Sequence, residues 1–468
     1  MAAITETKLV FGTKGNDVLV ASAQGGEHVF AAAGEDLLAA ASKSNVLHGG
    51  EGNDAITITG TNNTLYGEAG EDSLVVNSGK NAVHGNEGDD RLNVAGDSNL
   101  VTGGNGDDSL FLEGSYNTVS LGWGEDQVYL TPAKISEEED GSYGNTISLG
   151  NGDDTFQSAG NYDINDTSLR GGEGDDRIRV WGGDRNHIDG ESGNDVINSL
   201  YNYNTKFIGG SGNDTIINDI TRPGTNMNFD NTYYGNDGDD LFEAAGTRNK
   251  YYGGNGNDTF ILSKDVYING TDIYGDGGND IIQADKVWLS YLGSEFNGGA
   301  GNDILNTQAG GSTLFGGSGN DVLSVDRIYS IELSGGQGQD EYVLGGNFEG
   351  PWYNTISDAG VKGEQDVVRL TNYSKEELTL YRDGDNLVFE AAEDATLRID
   401  RFFVNGAYRI ERFELGDGTV WTDSDVEKII QGMAVAPASG AAGDTQENGS
   451  TTQELNLLLT AGGTPALL

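Results

Sequence analysis

A chain of 468 residues with 75 acidic against 26 basic side chains, net charge −49, is a poor partner for nucleic acid, whose phosphates need basic patches. It has 74 glycines, five prolines and no cysteine, which excludes a disulfide frame and a Cys-ligated zinc site. No run of about 18 apolar residues exists, so no transmembrane helix is expected, and Met1–Val10 lacks the basic-then-apolar pattern of a cleavable signal peptide.

So much acid would suit a disordered chain, but a strict repeat opposes that reading. It begins at Gly12, Gly15, Asp17 and Leu19. From Gly34 to Val128 a Gly-x-Asp turn returns every 18 residues, with Asp at 36, 54, 72, 90, 108 and 126. An apolar residue stands two places after each: Leu38, Ile56, Leu74, Leu92, Leu110 and Val128. Half a period on comes Asn (Asn45, Asn63, Asn81, Asn99, Asn117), again with an apolar residue two beyond. A fixed period of this length signals a solenoid, whose units bury their apolar faces only by stacking. Two 9-residue halves predict two short strands and two tight turns per coil, with inward columns spaced at the strand separation of about 4.8 Å.

One turn edge therefore stacks carboxylates: Asp17, Asp36, Asp54, Asp72, Asp90, Asp108 and Asp126. Burying that charge unpaired is expensive. A hard divalent cation between successive turns removes the cost, and calcium takes six to eight carboxylate and carbonyl oxygens in a flexible geometry. The edge offers neither His nor Cys for a softer metal. The Asn edge is uncharged, and side-chain amide hydrogen bonds with little or no metal are expected there.

Beyond Val128 the spacing loosens, but Gly-x-Asp recurs with Asp154, Asp176, Asp195, Asp214, Asp240, Asp258, Asp280, Asp303, Asp321 and Asp340. Long intervals place insertions at 129–145, 218–233 and 343–358, the first holding the acidic run Glu137–Asp140, read as a solvated loop, and the last Pro351-Trp352-Tyr353, read as covering the solenoid's end. Asp366 marks one more, degraded turn, with Glu364 in place of its Gly. Three segments are expected: a repeat roll over 1–363, a β-rich cap over 364–430 that closes the stack, and a flexible tail over 431–468. In the cap, Asp383-Gly384-Asp385-Asn386 reads as a hairpin turn. Asp423 or Ser424 is expected to cap a short helix over Val426–Ile430. The tail is rich in Ala, Gly, Ser and Thr, with a short apolar run, Gln453–Thr460, that could form a weak helix.

The turns read Gly-Gly-x-Gly-x-Asp-x-apolar, as in Gly49–Ile56, Gly171–Ile178, Gly209–Ile216, Gly253–Phe260 and Gly316–Leu323. This pattern over Gly12–Tyr342 resembles the repeats-in-toxin (RTX), haemolysin-type calcium-binding nonapeptide, and Arg398–Thr422 resembles the strand-rich segment that follows such repeats. The resemblance implies an all-β, right-handed parallel β-roll with calcium between turns one coil apart. Its ligands would be the Asp side chains together with turn carbonyls, such as those of Gly49, Gly67, Gly85, Gly103, Gly171, Gly190, Gly209, Gly253, Gly298 and Gly316. It also implies export through a type I secretion apparatus, with the signal in 431–468 and folding outside the cell. The first Gly of the motif is replaced at Ala31, Leu121 and Leu149.

Relatives carry enzymes or pore-forming regions beside the roll, and no such motif is evident here. His-Glu-x-x-His and Gly-x-Ser-x-Gly are absent. His48 and His84 stand two coils apart and read as wall residues. Carboxylate pairs such as Asp89-Asp90 could be called a glycosidase dyad, but their place in the repeat favours ion binding. The expectation is a non-catalytic, calcium-dependent extracellular surface, matrix or adhesion component, with polysaccharide or other copies of itself as possible partners. The alternatives are a polysaccharide-acting enzyme or carbohydrate-binding module on the roll surface, and a membrane-acting secreted effector.

Overall fold

The computed structural model describes residues 8–435 except 132, 135–139, 160–162, 219–227, 263–266, 285–287, 290–292, 309–310, 327, 329, 349–353, 362 and 393–394. The expectations for Glu137–Glu139, Pro351–Tyr353 and 436–468 lie outside the described residues.

Short strands separated by glycine turns coil into an all-β parallel solenoid of about sixteen turns. One coil shows the rule. Val46–Glu51 lies in the first sheet, the turn at Gly52–Asp54 reverses the chain, Ala55–Ile58 lies in the second sheet, and Thr64–Ala69 re-enters the first. Each strand pairs in parallel with its counterpart one coil on: Leu47 opposite Leu65 and Ile56 opposite Leu74. The alternation is strict, so Leu47, Leu65, Val83 and Val101 form one buried column and Ile56, Leu74, Leu92 and Leu110 the facing one. A one-residue slip would turn every apolar side chain outward, which is why the register holds across the insertions. Thus Val119 still opposes Ile147 and Val128 still opposes Phe156, although the first insertion separates them. Part of that insertion forms an antiparallel pair, Ala133–Lys134 with Asp140–Tyr143.

Toward the middle the core residues grow. Phe207, Tyr233 and Tyr251 stack at 5.0 and 4.5 Å, and Phe242 stacks on Phe260 at 4.6 Å. The buried tyrosine hydroxyls stay satisfied: Tyr251 meets the backbone of Ala245 and the amide of Asn218.

At the far end both sheets run on into the cap. Asn354–Ile356 pairs in parallel with Ala395–Ile399, and Val367–Leu370 with Arg412–Leu415. The hairpin Thr379–Asp383 with Asn386–Ala392 turns through Gly384 and Asp385, at the turn read from the sequence. The helix spans Asp423–Val435, longer at both ends than expected. Its cap is Thr422: the Thr422 hydroxyl accepts the Asp425 N–H at 3.3 Å, and Asp425 Oδ2 accepts the Thr422 N–H at 3.2 Å. This reciprocal box satisfies two groups at once, which a lone Asp423 or Ser424 does not. No helix among the described residues is long and apolar enough to cross a membrane.

Candidate metal row

The acidic turns of successive coils lie directly over one another, and their aspartates point inward. Asp54, Asp72, Asp90 and Asp108 are 1–2% exposed, and from Asp36 to Asp340 every predicted Asp is buried. The two carboxylate oxygens have different lives. Oδ1 accepts the backbone N–H of the Asp one coil earlier: Asp36 donates to Asp54 at 2.7 Å, Asp54 to Asp72 at 2.7 Å, Asp72 to Asp90 at 2.8 Å. The ladder continues across the irregular coils, with Asp154 to Asp176 at 2.8 Å and Asp321 to Asp340 at 2.9 Å. Oδ2 is buried without a partner in all sixteen aspartates from Asp36 to Asp340.

Those orphaned oxygens sit where the first motif glycine has no side chain. A Cβ on Gly49, Gly67, Gly85, Gly103, Gly171, Gly190, Gly209, Gly253, Gly298 or Gly316 would collide with Oδ2 of the Asp five residues on. At Gly85 it would also come within 2.7 Å of the Gly103 carbonyl of the next coil. A turn such as that at Gly85 therefore gathers an unsatisfied carboxylate oxygen, a carbonyl one coil on, and room that a side chain would fill. Positive φ at the second motif position (Gly50 118°, Glu68 83°, Asn86 86°) shapes the cradle, and non-glycine residues bear that conformation at a cost.

Burial, with a smaller push from neighbouring carboxylates, raises Asp108, Asp176 and Asp214 to about 8. Burial likewise raises Asp90, Asp258 and Asp340 to about 7 and Asp54 and Asp72 to about 6. The N–H bond to Oδ1 favours the charged form but does not offset desolvation. A row of buried, partly satisfied carboxylates is unstable at neutral pH unless positive charge enters. Among the described residues no three His, Asp or Glu side chains gather closely enough to hold an ion alone. An ion held here would take one carboxylate oxygen per turn and complete its shell from carbonyls. That donor set, oxygen only and loosely arranged, fits calcium.

Three details go beyond the sequence reading. Asp17 stands apart: its Oδ2 accepts the Thr13 hydroxyl at 2.9 Å and is not orphaned. Asp36, Asp126 and Asp154 keep the orphaned oxygen even though Ala31, Leu121 and Leu149 replace their first glycine. And where the middle residue of a turn is Asn or Asp it builds a second, exposed ladder, as where Asp89 Oδ1 accepts the Asp107 N–H at 2.9 Å and Asn257 Oδ1 the Asn279 N–H at 2.8 Å. The repeated Asn or Asp at that position is the signal that could have shown it.

On the opposite edge Asn63, Asn81, Asn99 and Asn117 accept through Oδ1 the backbone N–H of the Asn one coil earlier, as from Asn45 to Asn63 at 2.8 Å and from Asn63 to Asn81 at 2.9 Å. The amide nitrogens bond local carbonyls, as Asn81 does with Ser78 at 2.9 Å. These amides mostly join side chain to backbone. On the outer wall, His48 and His84 stack on the two faces of Tyr66, each at 4.8 Å, so a ring stands between them.

The family described as "RTX calcium-binding nonapeptide repeat (4 copies)" matches residues 30–57, 57–92, 94–128, 165–197, 202–217, 226–260, 272–286 and 297–327. The "Haemolysin-type calcium binding protein related domain" matches 393–425, inside the cap and the start of its helix. Among solved structures the chain is similar to a hyperactive, Ca2+-dependent, β-helical antifreeze protein from an Antarctic bacterium, at 19% identity and a TM-score of 0.31, covering 79% of this chain and 89% of that one. At that distance the likeness carries no argument about ligand or role. No curated protein matches.

Proposed function

The chain belongs to the RTX family of calcium-binding nonapeptide-repeat proteins, and from that premise we propose that calcium ions thread its acidic edge, one between each pair of successive turns, and drive its folding after export. The observation that carries this is the unpartnered Oδ2 repeated at Asp36 through Asp340. The ligands are those aspartates and the turn carbonyls of the glycines beside them. Asp17, with Oδ2 already bonded to Thr13, is the weakest member. Calcium supplies the positive charge that the buried row lacks. The chain's own residues do the rest: the glycines leave the space, Oδ1 fixes each carboxylate, and the apolar columns stack the turns in register.

The protein then works outside the cell, where free calcium is high, as a non-catalytic surface, matrix or adhesion component released through a type I secretion apparatus. Its net charge of −49 keeps the calcium-free chain extended in low calcium, which suits passage through a channel. Far-UV circular dichroism during calcium titration, with magnesium as control, tests the proposal. Coil without calcium and β structure with it are expected; no gain of β signal would overturn it.

A second reading, a carbohydrate-binding surface, has one observation in its favour. A shallow groove of about 720 Å³ crosses five coils of the first sheet, lined among others by Asp189, Glu191, Asn236, Asp237 and Asp276. Beside it Tyr234, Tyr252 and Tyr274 stack at 5.0 Å, which leaves their ring edges rather than their faces for a sugar. Retention of the calcium-loaded protein on insoluble polysaccharides separates the two readings.

A further inference from the structure

The solenoid is closed at one end and open at the other. At the far end both sheets run on into the cap. At the near end, among the described residues, Lys8–Phe11 pairs only with the strand Glu27–Ala33, and Val18–Val20 only with Leu37–Ala40. Gly12 donates its N–H to the Phe30 carbonyl at 2.7 Å, the Asp17 carbonyl accepts the Leu37 N–H at 2.9 Å, and Ala21 donates to the Ala39 carbonyl at 2.9 Å. Backbone polar groups alternate in direction along a strand. The N–H and C=O groups of Leu9, Phe11, Val18 and Val20 therefore face the open edge.

The same four residues carry exposed apolar side chains: Leu9 is 54%, Phe11 68%, Val18 71% and Val20 67% exposed. Phe11 stacks one ring face on Phe30 at 5.4 Å and starts the column of rings that runs on through His48, Tyr66 and His84. Val10 and Leu19 begin the two facing core columns and are only half-buried, whereas Leu47 and Ile56 further along are fully covered. A bare apolar edge is a template for another strand. Here there are two, in opposite sheets and running in opposite directions, so a single extended peptide would fill only one. Charge points to the same place. Although the chain carries −49, residues 8–26 hold two lysines and one aspartate, a net of +1, so this is where two copies approach with least repulsion.

We infer that the open end is an interface between two copies of this chain, joined head to head across a two-fold axis that passes by Val10 and Leu19. About Val10, Leu9 of each copy pairs with Phe11 of the other; about Leu19, Val18 pairs with Val20. Both are antiparallel pairs that exchange backbone hydrogen bonds and set apolar side chains against each other on the outer walls. The axis stands perpendicular to the sheets, so the acidic turn at Asp17 of one copy lies over the uncharged 21–26 turn of the other. A two-fold along the strands would set acidic turn on acidic turn and is disfavoured by repulsion. The contact uses the same patch on both copies and the far ends are capped, so it closes at two and does not grow into a fibre. Strands of four and three residues bury less than the roughly 800 Å² per partner of a stable interface, so the association is weak and follows concentration. Only the folded first coil takes part, with no ion of the acidic row.

Sedimentation equilibrium of the full chain in calcium, over a wide range of protein concentration, tests this. A monomer–dimer equilibrium with no larger species is expected. Val18→Lys with Val20→Lys sets like charges opposite each other on the edge and is expected to weaken the dimer at least about tenfold. The β signal by circular dichroism should stay, because both side chains point outward. Leu9→Lys with Phe11→Lys is expected to do the same through the other sheet, and serves if the first variant fails to fold. Ile304→Lys, on an exposed wall position far from the end, is the control and should leave the dimer as it is. A chain that is monomeric at every concentration, a dimer that either folded variant keeps at full strength, a dimer lost in the control, or growth past two copies overturns the inference. So does a dimer that forms only after residues 2–7 are removed, which would mean that this segment covers the edge in the full chain.

Discussion

Replacing Asp176 by Asn separates the two halves of the calcium argument, because its effect should change sign with calcium. The amide keeps Oδ1, so the 2.8 Å bond from the Asp154 N–H survives. Its nitrogen takes the place of the orphaned Oδ2, near the Gly190 carbonyl. Burial first, then the charges of Asp195 and Asp154, push Asp176 from 3.8 up to about 8. The sign follows from linkage: a carboxyl raised in the folded state contributes stability that is full below its unfolded pKa and is lost as pH rises toward the folded one. At pH 7 the cost of keeping this one group in the calcium-free fold is roughly 4 kcal/mol, at about 1.4 kcal/mol per pH unit above 3.8. Repulsion in the acidic unfolded chain trims this to roughly 2–4 kcal/mol.

Asp176→Asn should therefore stabilise the calcium-free chain at neutral pH by about that amount. With calcium the variant forgoes about 2.7 kcal/mol for an ion held at a hundredfold excess over its Kd and about 4.1 kcal/mol at a thousandfold excess, so the gain is cancelled and then reversed as calcium rises. Far-UV circular dichroism reads both. In chelator, the β signal of the wild type should be strongest near pH 4 and fall as pH rises through 6 to 8, and the variant should hold it to higher pH. In saturating calcium, the variant should melt first. Equal destabilisation with and without calcium would refute the idea that buried charge is what the ion neutralises.

Gly85→Ala places a Cβ against Asp90 Oδ2 and within 2.7 Å of the Gly103 carbonyl; it should lower the number of calcium ions bound, measured by calorimetric titration, with a smaller effect in the calcium-free state. Asn81→Ala removes the acceptor of the 2.9 Å bond from the Asn63 N–H and should cost about 1–3 kcal/mol in thermal or urea unfolding while leaving calcium stoichiometry unchanged.

An 18-residue recurrence of Gly-x-Asp with Leu, Ile or Val two places on was enough to determine the solenoid, its two apolar columns and the edge that collects charge, because a fixed period can bury its apolar face only by stacking coil on coil. Residue type alone also set the donor chemistry, since that edge offers oxygen and no sulfur or imidazole. Which oxygen is free was decided by the tertiary structure: the gap between coils is one hydrogen bond wide, so the backbone N–H of the previous Asp consumes Oδ1 and leaves Oδ2 over the missing glycine side chain. Likewise, nothing in the spacing of Asp358, Glu364 and Glu411 announces that each accepts a backbone N–H of the last turns. They fall outside the period, and only the packing of the cap on the last coil brings an acceptor from residue 411 to the N–H of residue 366.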